Sequence, residues 1–156
     1  MSAQVLRREQ LIPAPLEKVW EYFCDPRNLN ELTPPDMNFV IVSLDPGRMT
    51  AGQLIEYRVE FVRGLRSLWL TEIAHVREWE YFVDEQRIGP YQFWYHEHKF
   101  QPAEGGTWIT DKVTYSIGFG PLGDLLNTLW IGRRLRSIFD FRAEKIKEIF
   151  PERRTA

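Results

Sequence analysis

The sequence predicts an α+β fold of seven antiparallel strands, two short helices after the first strand, and one long C-terminal helix. Three observations carry this. Six consecutive segments between residues 38 and 117 have strand length and strand patterning, separated by turn signals at hairpin spacing. Ahead of them, a strand-like stretch is followed by apolar residues at helical period. Behind them the period changes to that of a helix and holds for about 28 residues, or about 42 Å.

The first strand, residues 5–12, is ended by Pro13 and Pro15, because proline cannot donate to a ladder. Pro15 suits the start of a helix. Leu16, Val19, Trp20, Phe23 and Cys24 then form a helical stripe. Asp25-Pro26 breaks it, and Asp25 is placed to cap a second short helix over 28–32, which Pro34-Pro35 ends.

The next strand covers 38–44 and is closed by the turn signal Asp45-Pro46-Gly47. Over 53–62, Ile55, Tyr57, Val59 and Phe61 alternate with Glu56, Arg58 and Glu60, a pattern with one dry and one wet face. Arg63-Gly64 turns the chain into a long strand over 67–79, with Trp69, Thr71, Ile73, His75 and Arg77 on one face. Strands over 81–89, 92–100 and 107–117 follow, joined at Gly89-Pro90 and at 103–106. The last helix starts near Pro121 and stops at Pro151. Leu122, Leu125, Leu126 and Leu129 form its first stripe; Leu135, Ile138, Phe139, Arg142, Ile146 and Ile149 form its second. Gly132, between them, marks a bend.

At 156 residues the chain reads as one domain, 1–156. With 20 basic and 22 acidic residues, and arginine clusters no longer than Arg133-Arg134-Leu135-Arg136 and Arg153-Arg154, it lacks a footprint for nucleic acid. The lone Cys24 excludes an internal disulfide and a cysteine-built metal site, and its apolar neighbours predict a buried, inert thiol. The first fifteen residues lack the apolar core of a signal peptide. No run of about 18 apolar residues would span a membrane, so a cytoplasmic protein without stable membrane insertion is expected.

Chemistry concentrates between residues 81 and 117. Side chains alternate across a strand, so His96 and His98 share a face with Trp94 and Phe100, about 7 Å apart along the chain. The matching faces of the flanking strands carry Phe82, Asp84, Gln86 and Ile88, and Ile109, Asp111, Val113, Tyr115 and Ile117. If these faces point inward, their polar groups must pair with one another or with a ligand, since each unpaired one costs a few kcal/mol. Arg142 is a plausible cationic partner for Asp84 or Asp111. The Trp130–Arg136 stretch reads as a solvated helix face and cavity lip rather than a membrane contact.

A wider set of residues carries a family resemblance. These are Ile12-Pro13-Ala14-Pro15 with Val19-Trp20, Asp25-Pro26 with Asn28-Leu29, and Trp69, Thr71 and Ile73. They continue with Phe82-Val83-Asp84-Glu85-Gln86, Gly89-Pro90-Tyr91, Trp94, His96, His98 and Phe100, then Asp111, Val113 and Tyr115. Pro121-Leu122-Gly123 and Ile138-Phe139 with Arg142 complete them. On these residues the chain resembles the START-like or SRPBCC superfamily, which includes polyketide cyclases and the birch pollen allergen family. Within it the chain resembles the group described as ligand-binding SRPBCC domain proteins. The resemblance implies a helix-grip fold, in which a curved sheet wraps the long terminal helix and leaves a cavity for an apolar or amphipathic small molecule. It does not imply one ligand, because members include carriers, receptors and enzymes.

The expected ligand-binding residues are Trp69, Phe82, Asp84, Gln86, Trp94, His96, His98, Asp111, Tyr115, Phe139 and Arg142. Three readings of the polar ones stand together: a network that satisfies itself, a patch orienting one end of an apolar ligand, and an acid–base pair. The favoured function is binding or transport of a hydrophobic small molecule, without a cofactor. The alternative is a cyclase- or dehydratase-type enzyme using His96 or His98 with Asp84 or Asp111. A metal reading of His96-Glu97-His98 is set aside: Glu104, the third ligand that a cupin-like pattern would need, falls in a turn too late in the chain. Asp84 or Asp111 are the remaining candidates for a third ligand. No motif points to a protein partner.

Overall fold

A computed structural model describes residues 3–44, 47–118 and 120–152. The expected turn at Asp45-Pro46 and the Arg153-Arg154 cluster lie outside the described residues.

The strands are β1 (Gln4–Ile12), β2 (Val40–Leu44), β3 (Leu54–Val62), β4 (Leu65–Arg77), β5 (Tyr81–Ile88), β6 (Phe93–Ala103) and β7 (Gly106–Ser116). They form one antiparallel sheet in the order β1-β7-β6-β5-β4-β3-β2. Strands β2 to β7 are a meander, as hairpin spacing requires, and β1 closes the sheet beside β7. Helix α1 (Leu16–Phe23) follows β1 and buries Val19, Trp20 and Phe23, the stripe visible in the sequence. The expected second helix is a 3-10 turn, Pro26–Asn30, with the Asp25 carboxylate accepting from Arg27 N–H at 3.0 Å. A further 3-10 turn, Pro35–Met37, begins at the second proline of the pair expected only to end structure.

The C-terminal helix is not uniform. Helix α2 (Gly120–Leu126) leads through a π-helical turn, Asn127–Ile131, into α3 (Gly132–Ile149). The irregularity falls just before Gly132, where the bend was expected. From α3, Leu135, Phe139, Arg142 and Ile146 are buried on one face, at spacings of three and four residues. Of the first expected stripe, Leu122, Leu125 and Leu129 are more than half exposed rather than core, while the Leu126 side chain lies outside the described residues. Among the described residues, helix α2 makes its main contacts with the turn that follows it.

Two bulges correct the expected faces of β4 and β5. Pairing slips between Ile73 and His75, so Ile73 is buried while His75 and Arg77 face out and Val76 turns toward the core. A second slip, opposite Leu70 and Thr71, turns Ile88 out to 52% exposure although Gln86 stays half-buried. Glu60, expected on the wet face of β3, is buried because its carboxylate accepts from Gly64 N–H at 3.1 Å and pairs with Arg66.

Apolar packing divides into two clusters. Trp20 and Phe23 from α1 meet Phe100 at ring-centroid distances of 5.2 and 5.6 Å, sealing one end with Phe82, Ile109 and Ile146. The other end joins Tyr57, Phe61, Trp69, Tyr91 and Trp94 to Leu135 and Phe139. Cys24 lies at the edge of the first cluster, half-buried rather than fully so. No helix among the described residues is long and apolar enough to cross a membrane.

Candidate functional site

Register builds the polar cluster. On the paired strands, Asp84 of β5 lies opposite His96 of β6, and His98 of β6 lies opposite Asp111 of β7. The hydrogen bonds run diagonally instead: His98 Nε2 meets Asp84 Oδ2 at 2.8 Å, and His96 Nε2 meets Asp111 Oδ1 at 3.0 Å. Each histidine therefore stands between both carboxylates. His96 Nδ1 is 3.2 Å from Asp84 Oδ2, and His98 Nδ1 is 2.9 Å from Asp111 Oδ1. That last approach is short but lies off the N–H direction, so His98 Nδ1 has no hydrogen-bond partner among the described residues.

Aromatic rings hold the pair in place. The two imidazoles are 3.7 Å apart between centroids, with Phe82 stacked on His98 at 4.1 Å and Phe139 edge-on to His96 at 5.6 Å. Trp94 donates its indole N–H to Asp84 Oδ1 at 3.1 Å. Arg142, from α3, brings its guanidinium to 3.7 Å from Asp111 and over the rings of Phe23 and Phe139. Of its two expected partners, the arginine faces Asp111.

The charges lean on one another. Burial raises the carboxyl pKa of Asp111, but Arg142 and the two histidines outweigh it and hold the group well below the usual carboxylate range. Asp84 is likewise lowered, against burial, by His96 and His98. Burial disfavours a charged His96, yet the Asp84 charge and hydrogen bonds to both carboxylates leave its pKa above the ordinary 6.5. Asp84, Asp111, Arg142 and His96 thus favour one another's charged forms and are not isolated ions in an apolar core.

Beside it, between sheet and α3, lies a cavity of about 170 Å³. Asp84, His96 and His98 line it; Asp111 does not. Most of the wall is apolar and aromatic. Tyr57 and Trp94 satisfy their polar tips within the protein, Tyr57 through Thr71 at 2.8 Å. Trp69 Nε1 and Tyr91 OH, both buried in the same wall, have no hydrogen-bond partner among the described residues.

Of the residues expected from the sequence, Trp69, Phe82, Asp84, Trp94, His96, His98, Phe139 and Arg142 line the cavity. Gln86, Asp111 and Tyr115 do not. Gln86 instead brackets the Tyr91 backbone, donating to its carbonyl at 2.7 Å and accepting from its N–H at 3.1 Å. Its side chain fills the space where a Cβ at Gly89 would stand, which explains the glycine there. Tyr115 packs behind the wall against Tyr91 and Trp94. Sequence reasoning missed Tyr91 as a lining residue because it sits in a turn, outside any strand alternation. It missed Tyr57 although the alternation of β3 already placed it on the dry face. The group Asp84, His96 and His98 offers three metal-ligating atoms within 4.8 Å of one another.

No family model matches the chain, and no curated protein matches it. Solved structures do. Protein Ms6760 from Mycobacterium smegmatis is similar over 96% of both chains, with a TM-score of 0.69 at 19% identity. Ara h 8.0201 is similar over 94% of this chain and 99% of its own, with a TM-score of 0.65 at 19% identity. Protein CV1439 from Chromobacterium violaceum is similar over 94% and 96%, with a TM-score of 0.70 at 14% identity. With the seven-stranded sheet and long C-terminal helix, these neighbours establish the helix-grip fold. At such identities the likeness carries the fold and no activity.

Proposed function

We propose that the chain binds or transports a hydrophobic or amphipathic small molecule in the cavity between the sheet and α3. The observation that supports this most is the composition of the cavity wall. Aromatic and aliphatic side chains surround about 170 Å³, while a few polar groups converge from one side. Two buried donors in that wall, Trp69 Nε1 and Tyr91 OH, have no acceptor among the described residues. A buried donor left without a partner costs about 1–3 kcal/mol, which an oxygen of a bound molecule would recover. A ligand with an apolar body and a carbonyl or hydroxyl oxygen fits both features. A cytoplasmic location belongs to the same proposal, in keeping with a single unpaired cysteine.

Native mass spectrometry after gentle purification, with displacement of anilinonaphthalene sulfonate by fatty acids, tests the reading. Retained mass and competitive displacement support it; a protein that takes up neither probe contradicts it. The enzymatic alternative draws on one observation, the 2.8 Å contact of His98 with Asp84 on the cavity wall. Replacing both histidines by glutamine separates the two, since a carrier keeps binding whereas an acid–base enzyme loses turnover and keeps affinity.

A further inference from the structure

We propose that Asp84, His96 and His98 form a binding site for a divalent first-row transition cation such as Zn²⁺, with its open coordination positions facing the cavity. The ligand atoms are Asp84 Oδ2, His96 Nδ1 and His98 Nε2, and their spacing is the first argument. Both ring nitrogens face the same carboxylate oxygen, at 3.2 and 2.8 Å. Bonds of about 2.0–2.1 Å at tetrahedral angles separate neighbouring ligands by about 3.3 Å, so each nitrogen stands within tenths of an ångström of the spacing it needs from Oδ2, and all three atoms lie within 4.8 Å of one another.

The surroundings supply the second argument. A metal-bound imidazole usually gives its other N–H to a carboxylate, which fixes the ring and raises its basicity. Here the other nitrogen of His96 hydrogen-bonds Asp111 Oδ1 at 3.0 Å, and that of His98 lies 2.9 Å from the same oxygen, off its N–H direction. Arg142 stands beyond it at 3.7 Å. The second oxygen of Asp84 is held by the Trp94 indole, leaving Oδ2 free to coordinate.

The third argument is position. Asp84, His96 and His98 line the cavity while Asp111 lies behind them. A cation on these three would therefore expose one or more positions to the cavity, as three-ligand sites with an exchangeable fourth position do. Two imidazoles and one carboxylate suit Zn²⁺ and its neighbours better than Mg²⁺ or Ca²⁺, which take oxygen ligands.

The test uses the full chain treated with chelator, then titrated with Zn²⁺ by calorimetry and with Co²⁺ by visible absorption. One equivalent should bind, with the intense d–d bands of four- or five-coordinate cobalt. His98→Gln and Asp84→Asn should each weaken uptake at least tenfold. His75→Gln, at the one histidine outside the cluster, should leave it unchanged. Because the cluster variants can misfold, imidazole nitrogen shifts of the unaltered protein form a second readout. Addition of Zn²⁺ should move His96 and His98 and spare His75. Absence of cobalt bands, uptake that survives both cluster variants, or shifts confined to His75 would each overturn the proposal and leave a self-satisfied hydrogen-bond network.

Discussion

Trp94 donates its indole N–H to Asp84 Oδ1 at 3.1 Å, ten residues away in sequence but across one strand pair. That bond fixes the carboxylate with its other oxygen between the two histidines. One hydrogen bond therefore joins the apolar wall of the cavity to its polar cluster.

Asp84→Asn removes the charge that both imidazoles face and leaves buried partners without it. Breaking a buried ion pair from one side costs about 3–5 kcal/mol. Urea unfolding of the metal-free protein should show a loss in that range. Trp94→Phe, which deletes only the hydrogen bond and part of the ring, should cost less.

Gln86→Leu acts on the cavity at one remove. It strips the Tyr91 backbone of both hydrogen bonds, a loss of about 1–3 kcal/mol for the buried groups left unpaired. Affinity for anilinonaphthalene sulfonate should fall, although Gln86 itself does not line the cavity. Fluorescence titration of the folded variant checks this.

The two stripes of the C-terminal helix should respond differently. Leu135 is 2% exposed against the sheet, and Leu135→Ala should destabilise by about 2–5 kcal/mol. Leu125 is 53% exposed, and Leu125→Gln should change stability by less than about 0.5 kcal/mol. Thermal unfolding of both variants measures the contrast.

How far these features were legible in the sequence depends on whether they are periodic. Alternation in β6 and β7 was enough to bring His96, His98 and Asp111 together, because register between adjacent strands preserves the face of each residue. It failed at His75 and Ile88, where one extra residue in a strand inverts every side chain beyond it. No composition signal marks such a bulge. The Leu122, Leu125 and Leu129 stripe misled for another reason: helical period reports a face, not whether anything covers it. The strand position of Gln86 points it at the wall, yet its amide is spent on a turn five residues on, a contact only the fold reveals.

Cys24 should be slow to alkylate. Burial first, and the Glu78 charge second, push its thiol from the ordinary 9.0 to about 12. At pH 8 almost no thiolate is present, so iodoacetamide should react far more slowly than with the unfolded chain. The sign for stability follows from the raised value. Below pH about 9 the thiol is protonated in both states; as pH climbs from there toward 12 the unfolded chain ionises first and stability is lost. Cys24→Ala should reduce that alkaline loss, without abolishing it, because the Tyr22 hydroxyl is raised too.

The central claim is that the cavity takes up a ligand. Its most direct test is the indole N–H spectrum of the nitrogen-15-labelled protein during titration with anilinonaphthalene sulfonate and with a long-chain fatty acid. Saturable shifts are expected at Trp69, whose indole has no acceptor among the described residues, and at Trp94 beside it, 5.2 Å between ring centroids. Indole signals of Trp69 and Trp94 that stay fixed through saturation, or the failure of both probes to bind, would contradict it.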